Sequence, residues 1–307
     1  MPVVVVGSVA LDTIETPFGK TENALGGSAS YFSLAARFFC PAYLVAVVGE
    51  DMPADRLALL SQKNIKTEGL KQVPGKTFRW TGRYEEDLNT RETLDLQLNV
   101  FEEFEPEIPA GAQDCEYVFL GNIHPQLQAK VLDQFPQAKL VGCDTIDHWI
   151  LNERQALLNL FSKVNLVVIN DAEARMLAQT PNLKVAARWI RARGPEFVVI
   201  KKGEHGVLMY HHDEFFAAPA FLLDEVFDPT GAGDSFAGGL MGYLAQARAL
   251  TPEVLRCGIV NGTVLASYCV EQFGVQRLVS LTDQEVEERF VQFHRLTQFG
   301  DRIRQSN

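Results

Sequence analysis

Short apolar runs rich in β-branched residues recur along this chain, and stretches with helical periodicity lie between them. The first run, Val3–Val6, is valine throughout, so it lacks the alternation of a strand with one solvent-facing side. Strands that are buried on both faces and separated by helices are typical of a mainly parallel sheet with helices on each side. The predicted strands are residues 3–6, 43–48, 117–120, 139–141, 166–169 and 197–200.

Helical patterns fill most of the remaining chain. The predicted helices are residues 28–39, 125–135, 172–178, 183–193, 235–246 and 253–270. A chain of 307 residues that is 47% hydrophobic can bury one large core. Because no repeat, low-complexity stretch or Ser/Gly-rich linker interrupts it, we interpret residues 1–307 as a single α/β domain.

One segment breaks this order. Residues 77–84 alternate between apolar and polar side chains, and residues 93–100 alternate again after a turn-rich stretch at 85–90. The pattern predicts an antiparallel hairpin with one apolar face, inserted at about residues 70–108. Such an insertion in a parallel α/β frame is usually a flap or an interface element. A hairpin packed on the main core is the alternative.

A Gly-Ala-Gly-Asp sequence at residues 231–234 opens a helical pattern in the C-terminal third. Its glycines remove side-chain bulk, so successive backbone N–H groups can face an anion at the positive end of a helix. A carboxylate there would repel a phosphate, which makes sense if Asp234 takes the proton of a hydroxyl that attacks the phosphate. The alternative is a glycine-rich turn whose acid favours the start of a helix.

Charge and cysteine content narrow the class of protein. The formal net charge of −11 argues against nucleic acid or an anionic membrane as a partner, although ATP needs only a local electropositive site. The five cysteines are scattered and lack CxxC spacing, which fits reduced thiols in a cytoplasmic protein better than disulfides or a zinc site. Neither a signal peptide nor a membrane anchor is evident.

Three motifs resemble those of the ribokinase-like (PfkB) family of carbohydrate and nucleoside kinases. They are Gly-Gly at 26–27, Asn-x-x-Glu at 170–173 and Asp-x-Thr-Gly-Ala-Gly-Asp at 228–234. The resemblance implies a ribokinase-like three-layer α/β sandwich, in which the inserted hairpin is a lid over the acceptor and often a clasp between two copies in a homodimer. It also implies an ATP-dependent kinase that phosphorylates a hydroxyl of a small sugar, polyol or nucleoside.

The resemblance assigns the transfer step to the turn at 231–234. Asp234 is the expected general base, and the N–H groups of Gly231, Ala232 and Gly233 are expected to stabilise charge on the transferred phosphate. By the same resemblance, Asp228 and Thr230 match positions that help to bind a monovalent cation such as K⁺ in ribokinases.

The acceptor is expected beyond the carboxyl end of the first strand, where open α/β sheets bind ligands. The resemblance implies that Asp12 accepts hydrogen bonds from acceptor hydroxyls, while Gly26 and Gly27 let the backbone approach. A loop acid followed by a glycine turn is the alternative.

The sequence departs from the family at two neighbouring positions. Ser28 stands where ribokinases commonly have Lys, and Tyr31 stands where many sugar kinases have Asn. A phenol would change the shape and hydrogen bonding of the acceptor pocket, so ribose is not carried over as the substrate. On the polar face of the hairpin, Arg79 and Arg83 are candidates to contact an anionic acceptor or the transferred phosphate.

On the nucleotide side, the resemblance implies that Asn170 and Glu173 organise Mg²⁺ and its waters. Asn at the N-cap with Glu three residues later is also a capping box, which needs no ligand. The family's Gly-x-x-Gly turn beside the nucleotide is matched by Gly203 and Gly206, preceded by Lys202. Asn261 resembles a polar residue that lines the adenine pocket.

Two alternatives to a sugar or nucleoside kinase stay open. A vitamin kinase of the same superfamily, acting on a pyridoxal or hydroxymethylpyrimidine alcohol, would generally lack the inserted lid. A non-catalytic sugar- or nucleotide-binding sensor would usually have lost the base or the glycines at 231–234, and both are present.

Overall fold

The computed structural model describes residues 1–298. The strands in this part of the chain are β1 (Val3–Val6), β2 (Ala10–Thr16), β3 (Gly19–Gly26), β4 (Ala42–Gly49), β5 (Ile65–Val73), β6 (Arg79–Tyr84), β7 (Arg91–Gln97), β8 (Tyr117–Leu120), β9 (Leu140–Cys143), β10 (Leu166–Asn170), β11 (Phe197–Lys201), β12 (Val207–His211) and β13 (Glu214–Ala218). The helices are α1 (Ser28–Ala36), α2 (Ala54–Leu59), α3 (Pro125–Leu132), α4 (Asp147–Asn152), α5 (Arg154–Phe161), α6 (Asp171–Ala178), α7 (Leu183–Arg191), α8 (Ala232–Ala247), α9 (Pro252–Cys269), α10 (Gln276–Ser280) and α11 (Asp283–Thr297).

The main sheet has the strand order β13-β12-β11-β10-β9-β8-β1-β4-β5. Neighbouring strands in the row β11-β10-β9-β8-β1-β4-β5 are parallel, whereas β12 and β13 extend one edge of the sheet in antiparallel fashion. In β1, Val3 and Val5 enter the core under α1, α8 and α9, whereas Val4 and Val6 enter the core on the opposite face. This two-sided burial confirms the predicted three-layer arrangement and explains why β1 shows no polar alternation.

A smaller sheet with the order β3-β2-β6-β7 stands apart from the main one. Its β6–β7 pair is antiparallel and lies where the sequence predicts a hairpin, with a register shift between Thr81 and Gly82. The hairpin does not stand alone, because β6 also pairs in parallel with β2, which pairs with β3. Segments just after β1 therefore complete this sheet, which we call the lid sheet (β2, β3, β6 and β7).

The carboxyl ends of the parallel strands, the lid sheet and the start of α8 meet at one edge of the main sheet. Parallel strands present ligand-binding loops at this edge. No helix among residues 1–298 has the length and hydrophobicity needed to cross a membrane.

Candidate active site

The Gly-Ala-Gly-Asp turn forms the N-terminus of α8. Gly231 is the N-cap residue with a φ of 75°, and Ala232 is the first helical residue. The N–H of Ala232 donates to Pro229 O (3.2 Å), and the N–H of Ser235 donates to Gly231 O (2.8 Å). Within residues 1–298, the N–H groups of Gly231 and Gly233 have no backbone acceptor. Two of the three expected donors are thus free for an anion at the positive end of α8.

Tyr31 explains why the turn needs glycine at its first position. A Cβ on Gly231 would lie 2.3 Å from the ring of Tyr31, which is 1% exposed. The Tyr31 ring therefore supports the turn from beneath. Its hydroxyl is buried and has no hydrogen-bond partner in the described chain, and burial raises the pKa of this phenol well above its usual value.

Lys201 reaches the same turn from the end of β11. A Cβ on Gly233 would lie 2.5 Å from Lys201 Nζ, which puts the ammonium group directly at the turn. Side chains alternate along a strand, and Val199 belongs to the core on the α8 side, so Lys201 projects towards α8 as well. Sequence reasoning named Lys202 instead, whose backbone N–H donates to Gly206 O (2.7 Å). The alternation of side chains along β11 is the sequence signal that would have pointed to Lys201.

The charge of Lys201 lowers the pKa of three carboxylic acids, and the sequence alone did not point to the first of them. They are Asp144, Asp234 and Glu173. Asp144 directly follows β9, is 7% exposed, and its Oδ1 has no hydrogen-bond partner among the described residues. Burial raises the pKa of Asp144, and the negative charge of Asp234 raises it further, whereas the positive charge of Lys201 lowers it. Burial also raises the pKa of Asp234, while the charges of Lys201 and Arg91 hold it down. The site is thus rich in acids, with few cations to balance them.

Asn170 and Glu173 form the capping box of α6. Glu173 N donates to Asn170 Oδ1, and Asn170 N donates to Glu173 Oε2, each at 2.8 Å. Burial raises the pKa of Glu173 to about 7, with Lys201 opposing the shift. The other oxygen, Oε1, makes no hydrogen bond to any residue in the described chain. This oxygen and the unpartnered Oδ1 of Asp144 are the hard oxygen ligands that Mg²⁺ prefers, so the residues present fit the ion.

Asp12 is buried in β2 at the base of the lid sheet. It is 4% exposed, and a Cβ on Gly26 would lie 1.8 Å from its Oδ2, so only glycine fits there. Burial, followed by the charge of Asp228, raises the pKa of Asp12 to about 8, although a hydrogen bond from the Gly27 backbone acts against this. Gly27 itself has a φ of 91° at the start of α1.

Trp80 lies beside Asp12, and sequence reasoning did not single it out as a site residue. The two residues are register partners in the parallel β2–β6 pair, so both side chains project from the same face of the lid sheet. Across the next pair, Trp80 lies opposite Leu96, whose side chain is 53% exposed. An apolar surface with an aromatic ring therefore adjoins the buried carboxylate.

Ser28, a predicted acceptor-binding residue, makes a hydrogen bond that connects two segments of the backbone. Its Oγ accepts a hydrogen bond from Ser8 N (3.1 Å), which ties the segment after β1 to the start of α1. A Cβ on Gly7 would lie 2.5 Å from this oxygen, so the backbone approaches it closely.

The lid sheet touches both the turn at 231–234 and the glycine turn after β11. Thr230 donates from Oγ1 to Tyr84 Oη at 3.2 Å. At the tip, a Cβ on Gly203 would lie 2.8 Å from Asn89 Oδ1. The lid sheet and its β6–β7 turn therefore contact the edge of the main sheet at both of these turns.

The structure does not bring Arg79 and Arg83 to the site. Arg79 pairs with Asp51 at 2.8 Å, and Arg83 pairs with Glu15 at 3.2 Å. Both arginines alternate with Tyr84 along β6 and so project from the opposite face of the lid sheet. Arg91, at the start of β7, is the lid arginine whose charge acts on Asp234.

Asp228 links the turn to the chain that follows α9. Its Oδ1 accepts from Thr230 N (2.9 Å), and its Oδ2 accepts from Gly274 N (2.8 Å). Because both oxygens accept backbone hydrogen bonds, Asp228 fixes the position of the turn. A monovalent cation beside Asp228 and Thr230 stays a prediction.

The remaining predicted nucleotide residues lie in the turn after β11 and in α9. Gly203 and Gly206 have φ values of 55° and 80°, which only glycine adopts readily. Asn261 lies in α9, is 4% exposed, and donates from Nδ2 to Cys257 O (2.9 Å) within its own helix.

Comparison with known proteins gives a consistent result. Residues 2–280 match the model of the pfkB family of carbohydrate kinases. The chain is 32% identical over 266 residues to a protein named cytidine kinase from Thermococcus kodakarensis, covering 84% of this chain and 94% of that one. A structure of the Burkholderia thailandensis nucleoside kinase in complex with inosine superposes with a TM-score of 0.79 at 20% identity, over 94% of this chain and 98% of that chain. The Methanocaldococcus jannaschii nucleoside kinase, described as an archaeal member of the ribokinase family, gives 0.74 at 20% identity, over 95% and 98%.

Proposed function

This chain belongs to the pfkB family of carbohydrate kinases, and from this premise we propose that it phosphorylates a hydroxyl of a nucleoside. Family membership and the cytidine kinase relative make it an ATP-dependent phosphotransferase that acts on a sugar or a nucleoside. The observation that favours a nucleoside is the Trp80 ring beside Asp12 on the inner face of the lid sheet. A sugar alone would occupy the carboxylate and leave the aromatic surface uncovered.

The acceptor is held by two chemically different contacts. Asp12 accepts hydrogen bonds from ribose hydroxyls, which would satisfy a carboxylate that is only 4% exposed. Trp80 and Leu96 cover the base, and stacking of a base on an aromatic ring is worth about 1–3 kcal/mol. The name of the cytidine kinase relative supports this choice of acceptor class.

Asp234 acts as the general base. The attacking hydroxyl gives its proton to the Asp234 carboxylate, the new O–P bond forms, and the bond between the β,γ-bridging oxygen and the γ-phosphorus breaks to release ADP. Burial raises the pKa of Asp234, which makes it a better proton acceptor, and the charges of Lys201 and Arg91 oppose this rise. The free N–H groups of Gly231 and Gly233 stabilise the charge on the transferred phosphate.

Glu173 and Asp144 would hold Mg²⁺, directly or through water, with Asn170 fixing the Glu173 carboxylate by the capping box. When bound, Mg²⁺ supplies charge shielding for the β- and γ-phosphate oxygens. Gly203 and Gly206, with their positive φ values, shape the turn after β11 against which the nucleotide would lie. The lid sheet excludes water, which limits hydrolysis of ATP.

The outer part of the lid supports a homodimer. Leu94 and Leu98 are 43% and 38% exposed, and a second copy would cover this apolar surface. A cytoplasmic location and a K⁺ site near Asp228 and Thr230 are further parts of the proposal. Light scattering and the dependence of the rate on K⁺ test the dimer and the cation.

A panel of acceptors tests the proposed function. Release of ADP would be measured with ATP and Mg²⁺ over nucleosides, free sugars, inositols, pyridoxal and hydroxymethylpyrimidine. We expect the highest kcat/KM for a nucleoside. Preference for a vitamin alcohol would favour the vitamin kinase, and no turnover with any acceptor would favour the sensor.

Trp80→Ala sharpens this test. Loss of base stacking should raise the nucleoside KM roughly tenfold to a hundredfold and leave the KM for ATP within a few-fold. Trp189→Ala is the matched control, because Trp189 lies in α7 on the other side of the main sheet and packs under Arg193. Equal behaviour of the two variants would contradict the assignment of the base to Trp80.

A further inference from the structure

The hairpin formed by β12 and β13 carries two adjacent histidines at its tip. His211 pairs with Glu214 as the last residues of the two strands, so His212 and Asp213 form a two-residue loop between them. The φ values of these loop residues are 46° and 63°, the left-handed pair of a type I′ turn. This tight turn fixes the backbone around the His211–His212 pair.

A carboxylate from the start of β11 meets both histidines. Glu196 directly precedes β11, in which Val198 is the register partner of Tyr210 in β12. Continuing this antiparallel register by two residues brings Glu196 opposite His212. The Glu196 Oε1 atom lies 3.2 Å from His211 Nε2 and 3.7 Å from His212 Nε2. The fold therefore brings three side chains from two separate segments to one point.

The spacing of these three side chains suits a tetrahedral metal ion. Bonds of about 2.0–2.1 Å from Zn²⁺ to nitrogen or oxygen place neighbouring ligand atoms of a tetrahedron roughly 3.4 Å apart. The two distances from Glu196 Oε1 lie on either side of this value, and all three ligand atoms lie within 4.8 Å of one another. A small movement of the exposed His212 side chain would complete the geometry.

His211 is the rigid member of the group, and the other two members face solvent. The His211 side chain is 9% exposed, and its ring stacks on Phe197 with 4.3 Å between the ring centres. The side chains of Glu196 and His212 are 44% and 68% exposed. An ion can therefore enter from solvent, and water can occupy the fourth position of the tetrahedron.

A simple ion pair accounts less well for the two histidines. Their ring centres lie 3.8 Å apart, and both Nε2 atoms approach the same carboxylate oxygen of Glu196. If both rings were protonated, their like charges would repel at this distance. A metal ion would instead bond to a lone pair of each neutral ring and to the carboxylate, so that all three contacts are attractive.

We propose that Glu196, His211 and His212 bind a divalent transition metal ion of the zinc type, with water as the fourth ligand. Two imidazoles and one carboxylate suit Zn²⁺, whereas Mg²⁺ prefers oxygen ligands alone. The ion would fasten the β12–β13 turn to the start of β11 and stabilise this edge of the main sheet. The length of β11, roughly 16 Å, separates Glu196 from Lys201, so the ion would not contact the transfer site.

Calorimetric titration of the chelator-treated full-length protein with Zn²⁺ tests the site. Excess Mg²⁺ would be present, because it prefers oxygen ligands and so leaves the histidines free. We expect a Zn²⁺ site whose affinity falls at least tenfold in His212→Ala and in Glu196→Gln. Both side chains are exposed, so these changes leave the core intact.

His205→Ala is the matched control. His205 and Glu204 form an exposed pair 3.5 Å apart, and no third ligand joins them among residues 1–298. This variant should keep the wild-type affinity for Zn²⁺. A wild-type protein that binds no Zn²⁺ would overturn the proposal, and so would wild-type affinity in both His212→Ala and Glu196→Gln.

Thermal unfolding gives a second readout. Because the ion would bind the folded chain, Zn²⁺ should raise the Tm of the wild type and of His205→Ala but not that of His212→Ala. An equal rise in His212→Ala would place the ion elsewhere and contradict the assignment. Neither measurement requires phosphotransfer, so the outcome is independent of the proposed function.

Discussion

Gly233→Ala isolates the contribution of the Lys201 ammonium without removing a charge. Gly233 lies in the first turn of α8, where Ala is favoured over Gly by up to about 1 kcal/mol. The added Cβ would stand 2.5 Å from Lys201 Nζ, whereas unstrained contacts lie at about 3.5–4.0 Å. The flexible end of the lysine must therefore retreat by roughly 1 Å, and such a displacement in an active site costs about a hundredfold in rate.

Thermal unfolding and steady-state kinetics together measure this effect. We expect Gly233→Ala to unfold at the wild-type Tm or above it, while kcat falls about a hundredfold. Gly231→Ala is the contrasting variant, because its φ is 75° and its Cβ would lie 2.3 Å from the buried Tyr31 ring. That variant should lose about 1–3 kcal/mol of stability as well as activity. A Gly233→Ala protein with wild-type kcat would refute a role for the ammonium at the turn.

Three further outcomes concern the buried carboxylates. Asp12→Ala should raise the acceptor KM about a hundredfold and leave the KM for ATP nearly unchanged, because a hydrogen bond to a carboxylate is worth roughly 1.5–3 kcal/mol; equal losses in both constants would place Asp12 in the scaffold. Glu173→Gln should shift the Mg²⁺ dependence of the rate to higher concentration, whereas a lower Tm with an unchanged Mg²⁺ curve would leave only the capping role. The raised pKa of Asp12, about 8, means that the ligand-free protein binds this proton more tightly than the unfolded chain, so stability should fall as the pH rises from about 4 towards 8. Asp12→Asn should fall less in Tm between pH 5 and pH 8 than the wild type, and an identical fall would contradict the assignment.

The main sheet was predictable from the sequence because its strands are buried on both faces. Val3–Val6 has no polar residue, and such a run leaves few alternatives to a central parallel strand. The capping box was predictable for a similar reason, since Asn170 and Glu173 satisfy each other through local hydrogen bonds.

The lid sheet could be predicted only in part. The alternation in 77–84 and 93–100 indicated the hairpin, but β2 and β3 join it through pairings that no local pattern specifies. The register shift at Thr81 and Gly82 was equally hidden. Arg91 and Leu96 are an odd number of residues apart, so unbroken alternation would place them on opposite faces of the lid sheet. Because of the register shift, they lie on the same face, Arg91 opposite Tyr84 and Leu96 opposite Trp80.

The cations and one acid of the site depend on tertiary structure. Lys201 and Lys202 are neighbours in sequence, and only the facing of β11 decides which of them reaches the turn at 231–234. Asp144 is a single acid after a strand, and nothing local distinguishes it from any other loop acid. It becomes a candidate because burial leaves its Oδ1 without a partner among residues 1–298.

Asp234→Asn tests most directly whether this site transfers a phosphoryl group by general-base catalysis. The substitution keeps the shape of the side chain, removes the base and relieves the repulsion between a carboxylate and a phosphate. We expect kcat with the true acceptor to fall by roughly 10²–10⁴-fold, with an unchanged Tm and nucleotide binding that is equal or slightly tighter. A variant that keeps near-normal kcat would contradict the role of Asp234 as the base.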